Sequence, residues 1–154
     1  MPAPAAYCNW RWDVVAANDA YEALFPQRVE LGNAMHWLFG PGRKLVVNWE
    51  AEVTSDVARM RGICAHFGNP PAGISLLAEL QNDPDFARLW LRREVSYDRP
   101  VDEPQYIYTA SGPVSVTMQL QSLPAQKDLL QLCVGVVRPY RVPALTPGAR
   151  TDPI

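Results

Sequence analysis

The sequence predicts an α+β domain: an antiparallel sheet with helices packed on one face. Three observations lead there. A short β-type stretch opens the chain, a long helical middle follows, and after Pro104 the hydrophobic period changes from that of a helix to strict alternation.

The elements follow in order. Residues 7–17, YCNWRWDVVAA, read as one bent strand or a tight strand pair. Asn18 stands where an N-cap would for NDAYEALF, because its amide oxygen can accept from the first free N–H groups of a helix. Residues 33–42, NAMHWLFGPG, read as a short helix closed by a Gly-Pro-Gly stop. The strongest helix is NWEAEVTSDVARMRGICAHF, with Trp49, Val53, Met60, Cys64 and Phe67 on one side and Glu52, Ser55, Arg59 and His66 largely off it. Gly68 and the Asn69-Pro70-Pro71 turn end it, and AGISLLAELQ supplies a further short helix. NDPDFARLWLRREV, residues 82–95, reads as an amphipathic helix with Phe86, Leu89, Trp90 and Arg93 at i, i+3, i+4 and i+7. Its apolar stripe therefore finishes on an arginine.

In VSVTMQLQSL, Val114, Val116, Met118 and Leu120 alternate with Ser115, Thr117, Gln119 and Gln121, which is a strand with one buried and one wet face. QYIYTA and DLLQLCVGVV flank it as further strands. The turn Ser111-Gly112-Pro113 and the turn-rich residues 123–128 join the three into an antiparallel meander.

Bulk composition narrows the function. The 154 residues are 48% hydrophobic and 19% charged, which suits one domain with its own core. A formal net charge of −2 lacks the basic field that phosphate-backbone binding needs, so no direct nucleic-acid binding is expected. The N-terminal MPAPAAYCNWRW is not a secretory leader, and no apolar run approaches the roughly 20 residues of a membrane span, so the expected location is cytoplasmic. Cys8, Cys64 and Cys133 are odd in number and widely spread, favouring reduced core thiols. Ten of the 15 prolines gather at the ends and in two turns; residues 1–6 read as a flexible N-terminus, 7–138 as the domain and 139–154 as a Pro-rich tail.

Several stretches together resemble the MmyB-like transcription-regulator ligand-binding domain, a PAS-like fold usually found behind an N-terminal helix-turn-helix. The matching pieces are RWDVVAAN, the LF of HWLF, the NWE opening the long helix, PDFARLW, and a strand ending in Leu123-Pro124. The resemblance implies a PAS-like antiparallel sheet of about five strands with helices on one face. It also implies a pocket between sheet and helices, and apolar or fatty-acyl effectors. The chain departs from the pattern at two places. Arg93-Glu94 stand where members carry His-Asp, and Tyr108-Thr109 stand where a His-Pro pair falls when the alignment is anchored on Leu123-Pro124. The helix-turn-helix is absent from the sequence, so the chain reads as an excised sensor domain or a free-standing relative. DNA contact is expected only through an attached or partner domain, and a homodimer is a further expectation.

Catalytic and metal chemistry find little support. His36 and His66 fall on different predicted helices, and no Cys-x-x-Cys or His-Glu-x-x-His spacing exists, so no metal site is expected. Cys64 and His66, two apart on one helix, point about 200° apart around its axis and cannot pair as nucleophile and base. GPGRK lacks the glycine spacing and hydroxyl of a phosphate loop and reads as a helix stop. A PAS-like fold could hold haem on His36 or His66, but the sequence has no attachment motif, and no cofactor is expected.

The expectation is a noncatalytic sensor enclosing a small apolar or amphipathic, fatty-acid-like molecule. Trp12, Val14, Met118 and Leu120 would form the sheet-side wall; Trp37, Trp49, Val53, Met60, Phe86 and Trp90 would form the helix-side wall. Arg93 would hold an acidic head group and Tyr108 would offer a hydroxyl. The bland alternative for each aromatic is ordinary core, and for Arg93 a cation at the negative end of a helix dipole. The competing function classes are a stand-alone small enzyme using the same cavity and a protein-interaction module with a side-chain-filled core.

Overall fold

The computed structural model describes residues 2–97, 103–123 and 130–141. The opening stretch is a tight strand pair, β1 (Ala5–Cys8) and β2 (Val14–Ala17), joined by a turn in which the Asn9 side-chain oxygen accepts from the N–H groups of Arg11 (2.9 Å) and Asp13 (3.0 Å). β1 begins at Ala5, inside the segment read as a flexible N-terminus. The helices follow: α1 (Asp19–Leu24), α2 (Arg28–Leu31), α3 (Ala34–Leu38), α4 (Gly42–Leu45), α5 (Trp49–His66), α6 (Pro71–Leu80) and α7 (Pro84–Leu91). The meander closes the domain with β3 (Gln105–Thr109), β4 (Gly112–Ser122) and β5 (Gln131–Pro139). Antiparallel pairing throughout gives the order β2-β1-β5-β4-β3, so the last strand lies beside the first. This is the α+β, PAS-like arrangement expected.

Register sets which side chains face the helices. Val116 lies opposite both Gln105 and Val137, Met118 opposite Gly135, and Cys133 opposite both Leu120 and Ala6. One alternation therefore runs across the sheet, and its helix-side members include the buried Ala6, Val116 and Cys133. Behind them lies a core containing Phe25, Trp37, Val53, Met60, Phe86 and Ile107.

Capping explains the short helices. Asn18 accepts from Tyr21 N–H at 2.9 Å, as an N-cap should, and also from Ala5 N–H at 3.0 Å, tying α1 to β1. Asn33 does more. Its oxygen accepts from Met35 and His36 N–H (2.9 and 3.1 Å), and its amide donates to the Arg11 carbonyl (2.8 Å) and Asp13 Oδ1 (2.9 Å), all while buried. Asn33→Ala removes a cap and two buried cross-links at once, so it lowers unfolding free energy by about 2 kcal/mol. Urea denaturation measures this, and a loss within experimental error would refute it.

Three local expectations need correction. Gly-Pro-Gly ends α3 but does not end helical structure: Pro41 and Gly42 open α4, with Pro41 supplying a preset φ of −57°. The helix read over 82–95 is shorter. Asp83 caps α7, accepting from Asp85 and Phe86 N–H, and the N–H groups of Arg92 and Arg93 bond back to Leu89 and Trp90 carbonyls at 3.2 Å. Those bonds tighten the end and turn Arg93 left-handed (φ +57°), outside the last turn of α7. On α5, finally, the charged residues Glu52 and Arg59, placed off the apolar side, are buried, whereas Phe67 is exposed. α5 is covered from more than one side, by α7 and by the segment whose Ser96 N–H donates to the Ala58 carbonyl, so a single-stripe reading fails there.

Candidate functional site

A cleft of about 810 Å³ opens between the helix-side face of the sheet and α5. Its size lies within the roughly 300–1,000 Å³ of small-molecule pockets. Met118, Leu120 and Cys133 line it from the sheet, Ile63 and Arg59 from α5, and Trp12 from the β1–β2 turn. Trp12 reaches it through a left-handed backbone (φ +64°), a conformation costing a bulky residue about 1–3 kcal/mol and retained where surrounding bonds over-determine it. Those bonds are Trp12 N–H to the Asn9 carbonyl (3.1 Å) and Ala34 N–H to the Trp12 carbonyl (2.8 Å).

Polar side chains, among them Gln105, Gln119, Gln121, Ser122 and Gln131, share the lining with two buried arginines, which differ in their partners. Arg59 is ion-paired with Asp56 one turn earlier on α5, and its guanidinium carbon lies 5.8 Å from the Trp12 ring centre. Arg28 is only 9% exposed, yet among the described residues no carboxylate pairs with it and its Nε has no hydrogen-bond partner. It rests on aromatic faces instead, 4.6 Å from the Phe25 centre, 4.9 Å from Trp37 and 5.8 Å from Tyr21. Such contacts return up to about 2 kcal/mol when desolvated. Stripping water from a guanidinium costs several kcal/mol, so the aromatic cage offsets only part of that cost.

Tyr21 and two cysteines also line the cleft. Burial pushes the Tyr21 hydroxyl up to about 12, leaving it a donor at every ordinary pH. Cys8 and Cys133 share a thiol–thiol hydrogen bond, which holds Cys8 below the usual thiol value and, together with burial, raises Cys133 above it. The cleft thus presents apolar side chains such as Met118 and Leu120 beside polar ones such as Gln119 and Gln121, a neutral phenol and, among the described residues, one guanidinium that no carboxylate pairs with.

The sequence-predicted site residues divide into three groups. Trp12, Met118 and Leu120 line the cleft. Trp37, Val53, Met60 and Phe86 are buried in the core, and Val14, Trp49 and Trp90 pack against it, with Trp90 stacked on Phe86 and lying under the Arg61 guanidinium. Arg93 is exposed outside the cleft. Tyr108 is also exposed, opposite Pro113 on the face of the sheet turned away from the helices. Arg28, Arg59, Asp56 and Tyr21 were not singled out from the sequence as site residues. Arg28 sits in PQRVE, where no periodicity marks it, and Arg59 reads as a solvated helix position.

Among the described residues no helix is long and apolar enough to cross a membrane. Comparison with curated proteins finds no match. The family model of the MmyB-like transcription regulator ligand binding domain matches residues 1–142 of the 154, and the chain belongs to that family.

Proposed function

We propose that this domain senses a small apolar or amphipathic molecule, with a fatty-acid-like chain the fitting class, and relays its presence to a separate DNA-binding domain. The cleft carries this reading: about 810 Å³ of space with Trp12, Met118 and Leu120 beside polar residues such as Gln119 and Gln121, the mixed lining an amphipathic molecule needs, in a domain of a regulator family. A ligand can act on a DNA-binding partner only through different affinities for two conformations of the sensor. α5 and the β1–β2 turn are the elements whose spacing an occupant would bias, since both line the cleft. Apolar chain burial supplies the affinity, at roughly 0.8 kcal/mol per CH₂ group removed from water.

Native mass spectrometry of the purified protein beside a denatured sample tests the reading, with solvent extraction of what is released. The expected result is a stoichiometric adduct that leaves on denaturation and extracts into organic solvent. A protein that stays apo after incubation with a panel of medium-chain amphiphiles would move the assignment to an interaction module.

A further inference from the structure

We propose that Cys8 and Cys133 form a dithiol that hydrogen peroxide closes to a disulfide in the wall of the cleft, with Arg28 as the cation that activates Cys8. The two cysteines stand near opposite ends of the sequence, and the pairing of β1 with β5 brings them together. Cys8 lies opposite Gln131 and Cys133 opposite Ala6, so the two are diagonal neighbours on the helix-side face, and their thiols share a hydrogen bond. Both line the cleft, which gives a small oxidant its path. Arg28 lines it too, nine-tenths buried, with no carboxylate paired to it among the described residues and no hydrogen-bond partner for its Nε. Its charge acts on both thiols. A thiolate at Cys8 would give this guanidinium the counter-charge that its aromatic neighbours do not supply.

The two sulfurs take different roles. Cys8 is the nucleophile, because the bond from Cys133 and the charge of Arg28 hold its thiol below the usual value, whereas that same bond and burial raise Cys133. The Cys8 thiolate attacks one peroxide oxygen; the O–O bond breaks, the sulfur is oxidised to a sulfenic acid, and the other oxygen leaves as hydroxide, which the proton lost by Cys8 turns to water. Cys133 then attacks the Cys8 sulfur. The S–S bond forms, the S–O bond breaks, and hydroxide leaves with the Cys133 proton as a second water. Diagonal neighbours stand about 7–8 Å apart at Cα, at the outer limit for a disulfide. Closure therefore draws β1 toward β5, and the bulge at Tyr7/Cys8 against β2 is where the strand can yield. Cys64, on α5, lies outside the lining of the cleft, and burial raises its thiol.

The test adds hydrogen peroxide to the reduced 154-residue protein, denatures it in N-ethylmaleimide and weighs the product by mass spectrometry. Wild type is expected to lose two hydrogens, to take up one maleimide, at Cys64, and to recover all three of its thiols with reduced glutathione. Cys64→Ser should form the same disulfide. Cys133→Ser should stop at the sulfenic acid, which dimedone traps on Cys8, and Cys8→Ser should leave Cys133 unoxidised. Arg28→Met should slow the oxidation roughly 3- to 10-fold, because the fall in thiolate outweighs the gain in its nucleophilicity. Three free thiols after treatment of wild type, or a disulfide that includes Cys64 or joins two chains, would overturn the dithiol. A dimedone adduct absent from Cys8 in Cys133→Ser would overturn Cys8 as the nucleophile, and an unchanged rate in Arg28→Met would overturn the role of Arg28. Should that variant not fold, Arg28→Gln in the same assay decides the matter in the same way.

Discussion

Trp37→Ala lowers the free energy of unfolding by about 3–5 kcal/mol, the largest loss expected from a single side chain here. Trp37 is fully buried; its indole N–H donates to the Pro26 carbonyl at 2.7 Å, and its ring meets Phe25 edge-on with centres 5.6 Å apart. Its surroundings cannot close over the gap. A methyl group on Gly42 would already lie 2.8 Å from the Trp37 ring, so the α3–α4 joint is shaped around the indole, and Phe25 and Arg28 pack on its other sides. Truncation therefore leaves a cavity, a Pro26 carbonyl without its donor, and an Arg28 with one aromatic face fewer. Urea unfolding checks this, with the m-value unchanged if the fold persists. A loss below about 1 kcal/mol would mean that the site collapses around the smaller side chain.

Arg59→Met lowers stability by about 3 kcal/mol, and most of that loss returns in the Arg59→Met, Asp56→Leu double variant. Both members of the pair are buried, 9% and 4% exposed, on successive turns of α5. Removing the cation strips the buried carboxylate of this partner, whereas replacing both with apolar groups of similar volume removes the desolvated charges together. A double-mutant cycle should therefore show a coupling of at least about 1 kcal/mol. Additive losses would show that the two charges are satisfied independently. The pair also bears on the cleft, because Asp56 is matched to Arg59, whereas among the described residues no carboxylate pairs with Arg28.

Local periodicity and capping were readable because they depend on neighbours in the chain. Val116 and Met118 alternate with Ser115 and Thr117, and the pairing of β4 with β5 follows that alternation. Asn18, read as an N-cap, caps α1, and Asn33 and Asp83, to which the sequence reading assigns no such role, cap α3 and α7 by the same local chemistry of an oxygen beside free N–H groups. The same local rules misplace the end of α7. There the return bonds of Arg92 and Arg93 stop the helix before its apolar stripe reaches the arginine.

The site was only partly legible, and for a definite reason. A large aromatic residue on an inward face can serve as core or as pocket wall, and sequence spacing cannot separate the two. Trp12 lines the cleft because its left-handed turn aims it there, while Trp37, read from the same kind of pattern, is packed solid among Phe25, Arg28 and Gly42. The arginines show the same limit. Arg93 ended an apolar stripe, and it lies in solvent; Arg28 carries no pattern that marks it, and the fold buries it beside the cleft.

The sequence by itself determined the α+β class, the antiparallel meander, the capped helices and the family, all of which follow from short-range pattern and motif order. Only the tertiary structure decided which charge meets the cleft. Burial and the absence of a carboxylate partner are properties of what approaches a side chain from elsewhere in the chain, here Phe25, Trp37 and the sheet, and no spacing along the sequence encodes them.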